Sequence, residues 1–159
     1  MTVFRLAAAA VLAALSGFYF HVFYGRGWAN AYVQAQAAAS RLNDVVREPY
    51  PDIVVLVATL TSLIPMTFKV LLFVLVREQL PGRSGAAKGL LFGFALLVIG
   101  DNFIRIPIMN VVVGNPVDVM LVQSAESWVY ALLTGLIIGV LVPAGADQPL
   151  RRWLSLPTR

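Results

Sequence analysis

Between Gly100 and Ser127 stand the residues of this chain whose types could do chemistry: Asp101, Asn102, Arg105, Gln123 and Glu126. Apolar runs flank the stretch on both sides, so these polar groups fall where the hydrophobic pattern places lipid. An ionisable group inside a bilayer is costly and is expected to face a bundle interior and find a partner there. Arg105 follows Asp101 by one helical turn and so shares its face. With a turn near residues 111–117, Asp101 and Glu126 each lie roughly 12 Å below one membrane face at about 1.5 Å per residue. The expectation is that two carboxylates and a guanidinium meet at one depth, with Asn102 and Gln123 as neutral neighbours. Three kinds of chemistry fit such a cluster. It could be a satisfied ion network that fixes helix register. It could be a binding or translocation site for protons or solutes. Or the carboxylates could do acid–base or hydrolytic work.

The elements that must position these groups are membrane helices. Apolar residues make up 59 % of the 159-residue chain and charged residues 13 %, about half the charged share of a soluble domain. Runs of about 20 apolar residues cross a hydrocarbon core roughly 30 Å thick, and four such runs are legible, at about 6–24, 53–76, 89–110 and 119–142. The fold class that follows is all-α, a polytopic four-transmembrane-helix bundle forming a single membrane domain over residues 1–159. Absence of cysteine excludes disulfides, thiolate metal sites and cysteine nucleophiles. A lone histidine, His21, leaves no bis-imidazole haem or histidine-rich metal site, and it reads as an interfacial hydrogen-bonder. No cofactor is expected. The net charge of +4 sits at membrane borders rather than on a nucleic-acid module, so no nucleic acid is expected as a partner.

Along the chain, the first run begins with small residues four apart, Ala9, Ala13 and Gly17, and ends in a cluster of rings, Phe18, Tyr19, Phe20, Phe23, Tyr24 and Trp28. Rings of this kind mark the water–lipid boundary. Its length exceeds the roughly 7–15 residues of a signal-peptide core, which argues for a retained span. Gly25 and Gly27 are expected to end it. Ala31, Ala35, Ala38, Leu42 and Val45 then repeat at three-four spacing, predicting an extracytoplasmic helix over 29–47 that ends at Pro49 and Pro51. Pro65 should kink the second run, and Lys69 is expected to reach along its stem to the near interface. Arg5, the loop residues Arg77, Arg83 and Lys88, and the tail residues Arg151, Arg152 and Arg159 fall on one side of a four-span chain, so both termini are placed in the cytoplasm. The location is a plasma membrane, in bacteria the inner one. Gly89 and Gly93 open the third run, and Ala131, Gly135 and Gly139 continue the fourth at four-residue spacing. Small faces of this kind allow two helices to meet backbone to backbone, or else form a dimer face.

Length, four spans and acidic residues near one face resemble signal peptidase II, the lipoprotein-processing aspartyl protease. Ile104, however, stands where that family's first catalytic aspartate would precede Arg105, and Glu126 where the second would close a Phe-Asn-x-Ala-Asp run, so no catalytic residue carries over. A Gly-x-Gly-Asp motif also fails, since Val98 occupies its first glycine. The leading functional expectation is therefore a non-enzymatic component acting through helix–helix contacts in the lipid bilayer, with itself as a homo-oligomer or within a larger membrane complex. The alternatives are an oligomeric small transporter or channel using Asp101, Arg105 and Glu126, and a membrane-embedded hydrolase or transferase with its site near the outer leaflet.

Overall fold

The structure, a computed structural model, describes residues 2–39, 41–42 and 52–148, and the chain is helical with no strand among them. Its elements are α1 (Thr2–Phe20), a π-helical stretch (His21–Ala29), α2 (Asn30–Ala38), α3 (Asp52–Val76), α4 (Gly85–Ile99), α5 (Arg105–Val112) and α6 (Val117–Leu141). Three helical rods are long and apolar enough to cross a membrane: Val3–Ala38, Leu56–Val76 and Val117–Leu141. Their outer faces are apolar too; Ile64 is 65 % and Phe68 67 % exposed on α3, an inside-out arrangement that only lipid can solvate.

Two boundaries differ from expectation. Gly25 and Gly27 do not end the first run, which continues unbroken to Ala38 as one rod of 36 residues. Glycine weakens a helix by about 0.5–1 kcal/mol through its backbone freedom. In lipid, where backbone groups have no water to bond to, the demand for internal hydrogen bonds outweighs that. The separate helix predicted over 29–47 is instead the far end of this rod, α2 stopping at Ala38. Asp44, Val45, Arg47, Glu48, Pro49 and Pro51 lie outside the described residues, as do Arg151, Arg152, Trp153 and Arg159 in the tail.

The third predicted span, 89–110, is not one helix. α4 ends at Ile99, so its 15 residues reach about 22 Å at 1.5 Å per residue, short of a roughly 30 Å core. The chain turns through Gly100–Ile104, with Asp101 in the left-handed region at φ 62°, and restarts as α5. Pro107 supplies the reason. In a continuous helix its ring would strike the carbonyl of Phe103 and remove one hydrogen bond. With the break in place Pro107 falls in the first turn of α5, where no amide donor is required.

α6 is the central element. On one flank it runs antiparallel to α4, with Gly85, Gly89 and Gly93 set against Gly139, Gly135 and Ala131 in turn. On the other it runs antiparallel to the first rod. α1 meets α3 through the small side chains of Ala9 and Ala13, fully buried with Met66, Val70 and Phe73. Phe73 and Phe92 meet edge to face at 5.2 Å, tying α3 to α4.

Candidate functional site

α6 presents Asp118, Val122, Glu126 and Tyr130 at four-residue intervals, one stripe along the helix. The first rod meets every one of them. Tyr32 donates to Asp118 at 2.6 Å, and Arg41 reaches the same carboxylate at 3.4 Å. The Tyr24 hydroxyl donates to the Val122 carbonyl at 2.9 Å. His21 Nδ1 and Glu126 Oε1 stand 2.6 Å apart. Gly17 passes against the Tyr130 ring, where a Cβ would come within 2.4 Å of a ring carbon. Lys69 of α3 places its ammonium 5.8 Å from the centre of that ring, a cation–π contact inside the bundle rather than an excursion to the interface.

The local conformation of the rod serves the third rung. The π-helical stretch begins at His21. Four residues on, Gly25 faces the Glu126 carboxylate so closely that a Cβ there would lie 2.2 Å from Oε2. Gly25 is thus present for the approach it permits. π-Helical turns are rare and recur at functional sites, because the extra residue re-aims side chains around it. An ionised carboxylate only accepts, so with Glu126 ionised His21 Nδ1 donates in their bond.

Glu126 lines two cavities at once. The first, about 620 Å³, is walled by polar groups including Asn30, Asn110, Asn115 and Gln123. The second, about 400 Å³, lies between α1 and α3 and is mostly apolar, with Ala14, Phe18, Phe20, Val54, Ala58 and Tyr130 among its walls. In the first cavity the carboxamides are chained: Asn115 Nδ2 donates to Asn110 Oδ1 at 2.6 Å, and Asn110 Nδ2 to Gln123 Oε1 at 2.5 Å.

The expected cluster of Asp101, Asn102, Arg105, Gln123 and Glu126 is therefore divided. Arg105 pairs with Asp101 at 2.8 Å, but both side chains are more than half exposed and neither meets Glu126. The break at Gly100–Ile104 carries that pair to an outer corner. Asn102 contributes its carbonyl, which accepts from Trp128 Nε1 at 2.9 Å. Gln123 belongs to the carboxamide chain, and Glu126 turns to the first rod. His21, Tyr24, Tyr32 and Asn110 are site residues that sequence reasoning did not select. The four-residue stripe from Asp118 to Tyr130 was the signal that could have found their partners.

An exposed pair one helical turn apart is worth little. Arg105→Gln is expected to cost no more than about 0.5 kcal/mol in thermal unfolding in detergent. A loss of several kcal/mol would mean that this corner is buried in the folded protein. Among the described residues, no three of histidine, cysteine, aspartate or glutamate gather as metal ligands. The arrangement can bind a polar or charged group between Glu126 and the carboxamides, and can pass a proton between imidazole and carboxylate. No protein-family model, curated protein or solved structure matches the chain.

Proposed function

We propose that this chain crosses a plasma membrane, in bacteria the inner one, four times, and binds a small ligand within the bilayer at His21 and Glu126. The third crossing in chain order is made by α4 and α5 together. Arg77 and Arg83 on the α3–α4 connection and Lys88 near the start of α4 favour the cytoplasmic side for that end and for both termini. The outer end is then the one bearing α2 and the start of α6.

The observation that carries the reading is Glu126 itself. It is an ionisable group on a membrane helix, held by a histidine from a π-helical stretch, and it opens to two cavities. An intramembrane carboxylate of this kind is a functional site by default. Binding is favoured over bond cleavage because the second carboxylate a dyad needs, Asp101, stands apart with Arg105. A role through contact alone is less supported, because the glycine faces that suggested it are occupied inside the chain between α4 and α6. Homo-oligomers would form through other surfaces, and release of the ligand to the opposite side would make the protein a transporter.

The test is to extract wild-type protein and Glu126→Gln from native membrane into lipid nanodiscs and compare what co-purifies by mass spectrometry. Wild type is expected to carry a small molecule or lipid enriched over the bulk membrane, reduced at least fivefold in the variant. Identical profiles would overturn the reading. A stoichiometric protein partner retained by both would restore the contact role.

A further inference from the structure

The two cavities that meet at Glu126 differ in character, and together they describe a ligand. One is lined by carboxamides and offers both donors and acceptors. The other is an apolar slot between α1 and α3, floored by the small residues Ala14, Gly17 and Ala58. Each falls within the roughly 300–1,000 Å³ of small-molecule sites, and Glu126 lines both. A molecule filling both is amphipathic, with its polar end toward α5 and its hydrocarbon toward α3.

The charge of the polar end follows from the walls. Among the described residues, Glu126 is the only acidic one lining either cavity, and no lysine or arginine lines them. Lys69 is near, but over the Tyr130 ring rather than on a wall. His21 is already engaged with the carboxylate. An anionic head would meet a like charge here, with no lysine or arginine among the described lining residues to receive it. A cationic head would gain the carboxylate as an ion partner at a depth where an unpaired charge is expensive.

Resting on the binding reading above, we infer that the ligand is a single-chain amphiphile with an amine head. The ammonium pairs with Glu126 and donates to the Asn110–Gln123 carboxamides, and the chain lies in the slot between α1 and α3.

The experiment uses the full chain in phosphatidylcholine nanodiscs and radiolabelled dodecylamine, with retention by empty nanodiscs subtracted. Saturable retention is expected for wild type, falling at least tenfold in Glu126→Gln. Because that variant could lose its fold, Ala58→Trp provides an independent arm. Ala58 is an exposed position of α3, and an indole there fills the slot while leaving the carboxylate in place. It too is expected to lower retention at least tenfold. Unlabelled dodecylamine should displace the label, whereas dodecanol and dodecyl phosphate should fail to do so. Displacement by dodecyl phosphate or dodecanol would overturn the amine head while leaving a Glu126-dependent site standing. Retention absent in wild type, or unchanged in both variants, would overturn the ligand class altogether. The co-purification comparison reads the site independently of any chosen probe.

Discussion

Gly135→Leu is expected to leave almost no folded protein. A Cβ at this position would stand 2.2 Å from the Gly89 carbonyl oxygen and 2.6 Å from the Gly93 amide nitrogen. Those neighbours are backbone, so no rotamer change relieves the clash. Nor can α4 slide, since Gly89 and Gly93 are themselves set against Gly139 and Ala131 at comparably short range. The two helices would have to separate along their whole contact. In a bilayer that contact is dispersion and close backbone approach, with no hydrophobic driving force to hold a loosened pair together. Overpacking an adaptable core costs about 1–3 kcal/mol, and Gly135→Ala, which already carries the Cβ that strikes backbone, is expected at the top of that range. A full leucine against backbone goes beyond it, to about 4 kcal/mol or more. The measurement is the yield of monodisperse protein after detergent extraction and the midpoint of its thermal unfolding. Val140→Leu is the control, because Val140 follows Gly139 directly yet is 62 % exposed and points away from the seam. Wild-type behaviour in Gly135→Leu would dismantle the α4–α6 packing described above.

That seam was legible because its signal is local and periodic. Small residues at four-residue spacing on two neighbouring runs leave few other ways to pair them, and only Gly85, which faces Gly139, escaped notice. The same glycines also contained the correction to the expected charge cluster. Nine positions separate Glu126 from Gly135, and at about 100° per residue this turns the side chain half a revolution from the face that meets α4. A helix that gives its glycines to α4 must give Glu126 to something else. Hydropathy could not reveal that the something was His21, a single histidine among rings in an apparently interfacial position. It also misread the first rod, because Gly25 and Gly27 look like breakers when counted by composition. The reason for Gly25 is a carboxylate from a helix a hundred residues away. The break at Gly100–Ile104 was hidden differently. Phe103, Ile104, Ile106 and Ile108 keep the run apolar while Pro107 forbids the helix from continuing through it, and only the second fact is geometric.

The second large effect concerns the bond between His21 and Glu126, which a double-mutant cycle can isolate. His21→Ala removes the 2.6 Å contact and Glu126→Gln strips it of its charge, so they leave different remainders. Glu126→Gln keeps the shape of the side chain and removes its charge. His21→Ala strands a carboxylate beside Gly25, a position with no side chain to shield it. The histidine variant is therefore expected to be the less stable of the two. The pair loses once what each single variant loses alone, so the double variant should fall short of the sum by the energy of the shared bond. A hydrogen bond to a charged group is worth about 1.5–3 kcal/mol when buried. Both side chains here stand partly open to the cavities, which argues for the lower end of that range, about 1.5 kcal/mol. Thermal unfolding of the four proteins in nanodiscs supplies the cycle. If the two effects simply add, the imidazole and the carboxylate do not act on each other. Glu126 would then be an isolated intramembrane charge, and the case for a site held from the first rod would fail with the bond.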